Sequence, residues 1–561
     1  KTYTPWGGLK SFTNGRKQRV DFEYDEAGRF YKIKLPGTSG EITHVLDGNG
    51  NRTETRMGEN IIRRNFDNWN RLKSRQDSNN KTIGYDYTPL DLVKTLIYSD
   101  NKQVGYDYDN LCRLVKVTDW NNRNTSYDYD VAGNLIKINY PNGSFSAMSF
   151  DDAGRISGIA HKKDDILISK IDYELDASGN RKAAHTIYPL PPLIPKDTRN
   201  FTYNTSNQVT SLNGQNLGYD EDGNLLGFML EEELKEIRYD EFNRVMGFGN
   251  DLYSYDADGL RVSSTVKGIS KSFVHDINNY KSPMLEMATA SVAAGEAAVG
   301  SRTPEYGYEC TPFDSIDRIL EAYDVDEKIE CRYVYGLGLI SREDKDGVYQ
   351  AYHFDGNGST LALTDITGTV TDRYAYDVYG AVYGEANTAN PFLYTGRYGV
   401  YDDGNGIAYM RARTYAPCLL RFLQEDFLKG SPYNPQSLNR YAYVRGNPVL
   451  MIDPLGLSGG KDSVTKEIIT LLFGVVAGGV IGAIIAAAVT GGTGGAAGGA
   501  AVGTVGGAVG GSMGGTVGVS TGSVRGTRSS SRFLRYRGYS RRDSSEDYIL
   551  FEVELQHLKI D

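Results

Sequence analysis

The phrase YDEAGRF at residues 24–30 returns as YDVAGNL at 129–135 and as FDDAGRI at 150–156. Each copy sets an aromatic side chain beside an aspartate, with a glycine three residues after it, then arginine or asparagine, then an apolar residue. Working outward, the pair or its remnant stands at Phe66-Asp67, Tyr87, Tyr108-Asp109, Tyr129-Asp130 and Phe150-Asp151, a step of 21 residues four times running. Leu46-Asp47 fills the gap toward Tyr24-Asp25. The spacing then loosens through Leu175-Asp176, Tyr203, Tyr219-Asp220, Tyr239-Asp240 and Tyr255-Asp256. A period held this closely marks a repeat array.

The unit has a physical reading. In Ser126-Tyr127-Asp128-Tyr129 alternate side chains face opposite sides of a strand. The aspartate opens a turn by bonding the backbone ahead of it, and glycine takes the position that needs positive φ. Each unit is then a hairpin that cannot bury its aromatic face alone, and stacked units make one continuous sheet. Composition agrees: 41 Tyr against 19 Phe and 3 Trp, with 65 Gly and 17 Pro, suit strands and turns rather than helices.

Residues 1–457 hold 51 basic and 63 acidic side chains, an acidic body that argues against a general nucleic-acid binder. The cysteines, Cys112, Cys310, Cys331 and Cys418, form no CxxC pair, and the histidines never stand three or four apart, so no zinc site is expected. Asp47-Gly-Asn-Gly-Asn51 and Asp355-Gly-Asn-Gly358 lack the glutamate of a calcium loop and read as turns. No phosphate loop and no GxSxG motif occurs. No metal and no cofactor is expected. The chain opens at Lys1 without Met and reads as a fragment or processed product.

These units resemble the YD repeats of the Rhs family: bacterial Rhs and wall-associated toxins, the C subunits of insecticidal Tc toxins and the extracellular region of teneurins. The resemblance covers roughly residues 15–457. It implies a mainly β fold in which hairpins wind as a spiral into a hollow shell. Residues 1–260 are the YD-repeat spiral. Residues 261–350 continue it less regularly, with an Ala-, Met- and Glu-rich stretch near 282–301 that reads as a loop or a short helix. Regular signals resume at Tyr333–Ile340, and residues 351–457, with Tyr374-Ala-Tyr-Asp-Val-Tyr-Gly380 and Pro391-Phe-Leu-Tyr-Thr-Gly-Arg397, look like the Rhs-associated core.

The segment ending that core is the most specific. It runs Arg413-Thr-Tyr-Ala-Pro417, Arg421-Phe-Leu-Gln-Glu-Asp426, Tyr441-Ala-Tyr-Val-Arg-Gly-Asn-Pro448 and Asp453-Pro-Leu-Gly-Leu457. In the family this region cuts its own chain with two aspartates and an arginine. The resemblance implies Arg413, Asp426 and Asp453 as catalytic residues of a single-turnover aspartyl autoprotease, and Leu457–Ser458 as the bond cut. Ala416 stands where the family usually has Asp, Leu420 where it has Gly, and Phe427 where Pro follows the aspartate. Paired carboxylates suit amide hydrolysis, because like charges resist joint ionisation and one carboxyl keeps its proton. From the residues alone, Arg413–Asp426 could equally be a structural ion pair.

Residues 458–561 differ in kind. No charged residue occurs from Ile468 to Val524, and the opening run Ile468–Val489 is long enough to span a bilayer. Glycine recurs at every fourth position: Gly491, Gly495, Gly499, Gly503, Gly507, Gly511 and Gly515. That series resembles glycine-zipper segments and would let helices approach closely in lipid. A flexible spacer is the other reading. An arginine-rich stretch (525–542) follows, and Tyr548–Leu555 reads as one edge strand.

The reading as a whole is a bacterial Rhs-type toxin, secreted or delivered at the cell surface. Its shell encloses its own C-terminal segment as a membrane-active, pore-forming cargo released by self-cleavage, with a target membrane, an immunity protein and delivery machinery as partners. The alternatives are a non-cleaving YD-repeat binding or adhesion protein, or a glycine segment that serves as a docking element or spacer.

Overall fold

The computed structural model describes residues 1–37, 40–190, 198–277, 317–385, 389–426, 430, 435–457, 532–543 and 546–557. The stretch 282–301, Ser458 and the glycine series from Gly491 to Gly515 lie outside the described residues.

The repeats fold as the alternation requires. Eighteen strands from Thr2–Tyr3 to Arg181–Ile187 form one antiparallel meander, each bonded to the strand before it in the chain. A three-stranded piece, Phe201–Tyr203, Val209–Leu212 and Gln215–Asn216, leads to a second meander of thirteen strands from Gly227–Leu230 to Val382–Glu385. Four short strands complete the body: Tyr401–Asp402, Ala408–Met410, Arg413–Ala416 and Arg421–Phe422. The fold is mainly β, as the repeat implies. At the C-terminal end Arg532–Asp543 pairs with Glu546–His557. The strand read at Tyr548–Leu555 therefore has a partner, supplied by the arginine-rich stretch. Among the described residues no helix is long and apolar enough to cross a membrane.

One unit shows why the sequence turns where it does. The Asp109 N–H donates to the Arg113 carbonyl at 2.9 Å, and the Cys112 N–H donates to the Asp109 carbonyl at 3.0 Å. This is a three-residue hairpin loop whose last residue is left-handed, and the register slips between Asp107 and Tyr108, as a bulge of this kind demands. Oδ1 of Asp109 accepts the N–H groups of Leu111 and Arg113, each at 2.9 Å, while Oδ2 accepts from Arg113 Nε at 2.7 Å. The same pattern recurs at Asp25, Asp67 and Asp151 with their arginines. Aspartate thus closes the turn and orients the arginine four residues on.

Tyrosine outnumbers phenylalanine for a reason visible here. The hydroxyl of Tyr129 donates to the Leu114 carbonyl at 2.8 Å, fifteen residues back. Tyr108 does the same to Val93, Tyr87 to Leu72 and Tyr24 to Leu9. Phenylalanine would fill the space and leave that carbonyl unanswered. The oriented arginine then covers the next unit's ring: Arg113 lies 4.5 Å from the Tyr129 centroid, and Arg71 lies 4.6 Å from that of Tyr87.

Alternation decides which face is buried. In Thr82–Tyr87 Ile83 and Tyr85 are buried, and in Asn124–Tyr129 Thr125 and Tyr127 are. The buried face of the first meander packs on the second. Tyr98 donates to the Tyr333 carbonyl at 2.6 Å, and Tyr85 to Asp276 at 2.8 Å. Leu96, Tyr98, Val117 and Tyr127 share one core with Tyr333, Tyr352 and Leu363.

Two predictions arise here. Cys112 has φ 61°, at the place where Gly28, Gly133 and Gly154 stand in their own units. Cys112→Gly removes the left-handed penalty, and thermal unfolding should show a gain of about 1 kcal/mol. No rise in midpoint would mean that the thiol's contacts outweigh the strain.

The second concerns acid. His161 sits between the meanders: its Nε2 donates to the Phe354 carbonyl at 2.8 Å, and its Nδ1 lies 2.7 Å from the Ser146 hydroxyl. Burial pulls His161 down to about 4 and His44 down to about 3. An unfolded histidine takes its proton near pH 6.5, so between that pH and about 4 the unfolded chain binds more protons. Stability is therefore full above pH 6.5 and falls as pH drops toward 4, by about 3 kcal/mol for His161. Urea midpoints from pH 7 to 4 should show this fall, and His161→Gln should flatten it. An unchanged slope in that variant would assign the acid sensitivity elsewhere.

Candidate active site

The site is built by the four short strands and the loop after them. Arg413–Ala416 pairs on one side with Ala408–Met410 and on the other with Arg421–Phe422. The reversal between the latter two is a short turn at Pro417–Leu419, closed by Leu420 at φ 61° and ψ 24°. Leucine thus takes the left-handed conformation where the family usually has glycine, at a cost of about 1–2 kcal/mol, and the hairpin still forms. Past it, the Leu423 N–H reaches the Thr414 carbonyl at 2.9 Å, and Gln424 Oε1 accepts the Thr414 N–H at 2.9 Å. This brings Asp426 alongside Arg413.

Arg413, Asp426 and Asp453, far apart in the chain, meet in the fold. Nη2 of Arg413 lies 3.0 Å from Asp426 Oδ2 and 3.4 Å from Asp453 Oδ2. One nitrogen therefore holds both carboxylates, and all three side chains are at least 97% buried. The rest of the guanidinium is also committed: Nε donates to the Gly456 carbonyl at 2.5 Å and Nη1 to the Arg440 carbonyl at 2.8 Å. Its face lies 3.7 Å from the Phe422 ring centroid. Burial lowers the Arg413 guanidinium from its ordinary value, against the pull of Asp426 and Asp453.

Asp453 holds the backbone of the segment that precedes the expected cut. Its Oδ1 accepts the Leu457 N–H at 2.9 Å, while Oδ2 faces Arg413. The peptides between them are held from strand Ala408–Met410 and its turn. The Ala412 N–H donates to the Leu455 carbonyl at 3.2 Å, and Arg411 Nη1 donates to the Pro454 carbonyl at 2.6 Å. Gly456, at φ 67°, passes so close that a Cβ would lie 2.5 Å from the Met410 carbonyl oxygen, so only glycine fits there. Leu457 is thus in place, and Ser458 lies outside the described residues.

Sequence reasoning missed Arg411 and Arg440. Arg411 binds Asp317 at 2.6 Å as well as Pro454, and the signal for it was an arginine two residues before Arg413 on the same strand turn. Arg440 works through its backbone carbonyl as well as its side chain, which no residue type announces. Among the described residues no cluster of metal-ligating side chains is found.

Known proteins resemble the repeats and the fold. A family model described as Teneurin YD-shell matches residues 194–277, and one described as RHS Repeat matches residues 106–144. The tRNA3(Ser)-specific nuclease WapA of Bacillus spizizenii is 28% identical over 295 residues, covering 51% of this chain and 11% of that protein. The tRNA nuclease WapA of Bacillus subtilis matches with the same identity and coverage. The chain thus spans about a tenth of the length of these relatives. Among solved structures, those titled TcdB2-TccC3-Cdc42 and TcdB2-TccC3-TEV superpose with TM-scores of 0.55 and 0.56 at 14% identity. They cover 83% and 81% of this chain, and 27% of theirs. The 21-residue turn unit and both matching repeat models make residues 106–144 and 194–277 similar to Rhs/YD repeats, and the paired meanders share the fold of the TcdB2-TccC3 shell.

Proposed function

We propose that this chain is the closing part of a toxin shell that cuts itself after Leu457 and so frees residues 458–561. The observation that carries the reading is Asp453. One carboxylate oxygen holds the Leu457 N–H, and the other shares Arg413 with Asp426. One guanidinium cannot neutralise two carboxylates, and the buried site is neutral when the pair shares a proton. In that state one aspartate draws a proton from water as it attacks the Leu457 carbonyl. The other gives its proton to the departing Ser458 nitrogen. Arg413 holds the pair together and stabilises the charge that develops beside it.

The test is the intact mass of freshly purified protein. The reading requires a second species of residues 458–561, whereas a binding or adhesion shell stays at full length. For the cargo, the uncharged span 468–524 supports a membrane-active segment. The names of the Bacillus relatives favour a second reading, a nuclease. Dye-filled liposomes and a tRNA digestion assay, run on the same released segment, separate the two.

A further inference from the structure

The turn Asp220–Asn224 touches both the first repeats and the active-site loop. From the first repeats, Arg16 Nε donates to Asp222 Oδ2 at 2.7 Å, and its Nη2 donates to the Asp240 carbonyl at 2.6 Å and to Asn243 Oδ1 at 2.7 Å. The Gly15 N–H donates to Asp222 Oδ1, and a Cβ on Gly15 would overlap the Glu221 carbonyl. From the site, the Tyr441 hydroxyl donates to the Gly223 carbonyl at 2.7 Å and accepts from Gln208 Nε2 at 3.0 Å. The Leu225 N–H donates to the Leu423 carbonyl at 3.0 Å.

Tyr441 is the neighbour of Arg440, and Arg440 holds the two reacting partners in relation to one another. Its carbonyl accepts Arg413 Nη1 at 2.8 Å and the Asp426 N–H at 3.0 Å. Its guanidinium donates to the Asp426 carbonyl and, at 2.5 Å, to Glu425 Oε1. The Asp426 peptide is thus clasped at both ends by one residue, and that residue is anchored to the turn by the next.

We propose that Arg440 is the positioning residue of the site and that the turn Asp220–Asn224 sets it through Tyr441, so that the cut waits on the docking of the repeat around Arg16 against this turn. The proposal deepens the self-cleavage reading and rests on it. Until the first repeats meet Asp222, the turn lacks its outer support, Tyr441 lacks a fixed acceptor, and the Arg440 carbonyl can drift. A shift of about 1 Å in a reacting group costs on the order of a hundredfold in rate. Release of residues 458–561 before this docking is thereby slowed.

The test uses the full chain as parent, Arg16→Met, Tyr441→Phe and the double variant. Release of residues 458–561 is timed after refolding. In the uncut Asp453→Asn background, amide hydrogen exchange is followed over 421–426. Each single change should slow release about tenfold and speed exchange over 421–426, and the double should match the slower single. Arg440→Lys should retain more of the rate than Arg440→Met. The proposal falls if exchange over 421–426 is unmoved in both single variants, or if the two effects multiply. Faster exchange in Arg16→Met together with an uncut parent would remove the self-cleavage reading and leave the positioning link standing.

Discussion

Asp426→Asn and Asp453→Asn are each expected to keep the chain at full length, under conditions in which the proposed self-cleavage of the parent would release residues 458–561. Both side chains are buried against Arg413 Nη2, so an amide of the same size fits the space. What is lost is the exchangeable proton. General acid–base transfer contributes about 10²–10⁴-fold, and each variant should lose on that order, enough to leave no product on a gel. Arg413→Ala should also stop the cut, and it removes the guanidinium that both buried carboxylates share, so its unfolding midpoint drops as well. The Asn variants separate chemistry from folding: they should unfold close to the parent. Cleavage at the parental rate in both would end the aspartyl mechanism.

Arg261→Met is expected to cost more stability than any single change at the chain's surface. Arg261 Nη1 reaches both oxygens of Asp403, at 2.7 and 2.9 Å, and side-chain exposure is 1% for the arginine and 0% for the aspartate. Its guanidinium lies 4.2 Å from the Tyr253 centroid and 4.3 Å from that of Tyr409. This pair ties the second meander to the short strands that carry the candidate site. Removing the cation leaves Asp403 buried and unpaired, a loss of about 3–5 kcal/mol. Arg261→Met combined with Asp403→Leu should recover most of that, because no charge is then stranded. Urea unfolding of the three variants checks it. Equal losses in the single and double variants would place the cost in packing between the tyrosines instead.

The wall was legible in the sequence because its turn is chemically demanding. Aspartate, a left-handed residue and an arginine must fall at fixed offsets, so Asp25, Asp67, Asp109 and Asp151 announce themselves. Cys112, Asn70 and Asn243 occupy the left-handed place as well, so a search for glycine alone would have lost those units. The meeting of the candidate site residues was legible only through resemblance, since nothing in composition or period joins Arg413 to Asp426 and Asp453. The meeting of the two meanders was not legible at all. Alternation tells which side of Tyr85 or Tyr127 is buried, but not that Asp276 or Tyr333 lies opposite. Arg440 stayed hidden because half of its role belongs to a carbonyl that every residue has.

The ladder of tyrosine hydroxyls and stacked arginines has a consequence for how such walls change over time. Units that carry tyrosine send its hydroxyl fifteen residues back, as at Tyr87, Tyr108 and Tyr129, and units that carry the turn arginine can lay it on the next ring, as at Arg71 and Arg113. Duplicating or deleting one whole 21-residue unit leaves each remaining connection with a partner of the same kind. Losing a single residue inside a strand instead turns the rest of that strand's side chains to the wrong face. Length in this protein is therefore quantised. Recombination between copies is the inexpensive route to a longer or shorter wall, and frame-preserving insertions should collect at the turn tips, around Trp69, Leu90 and Leu111, where side chains already stand in solvent.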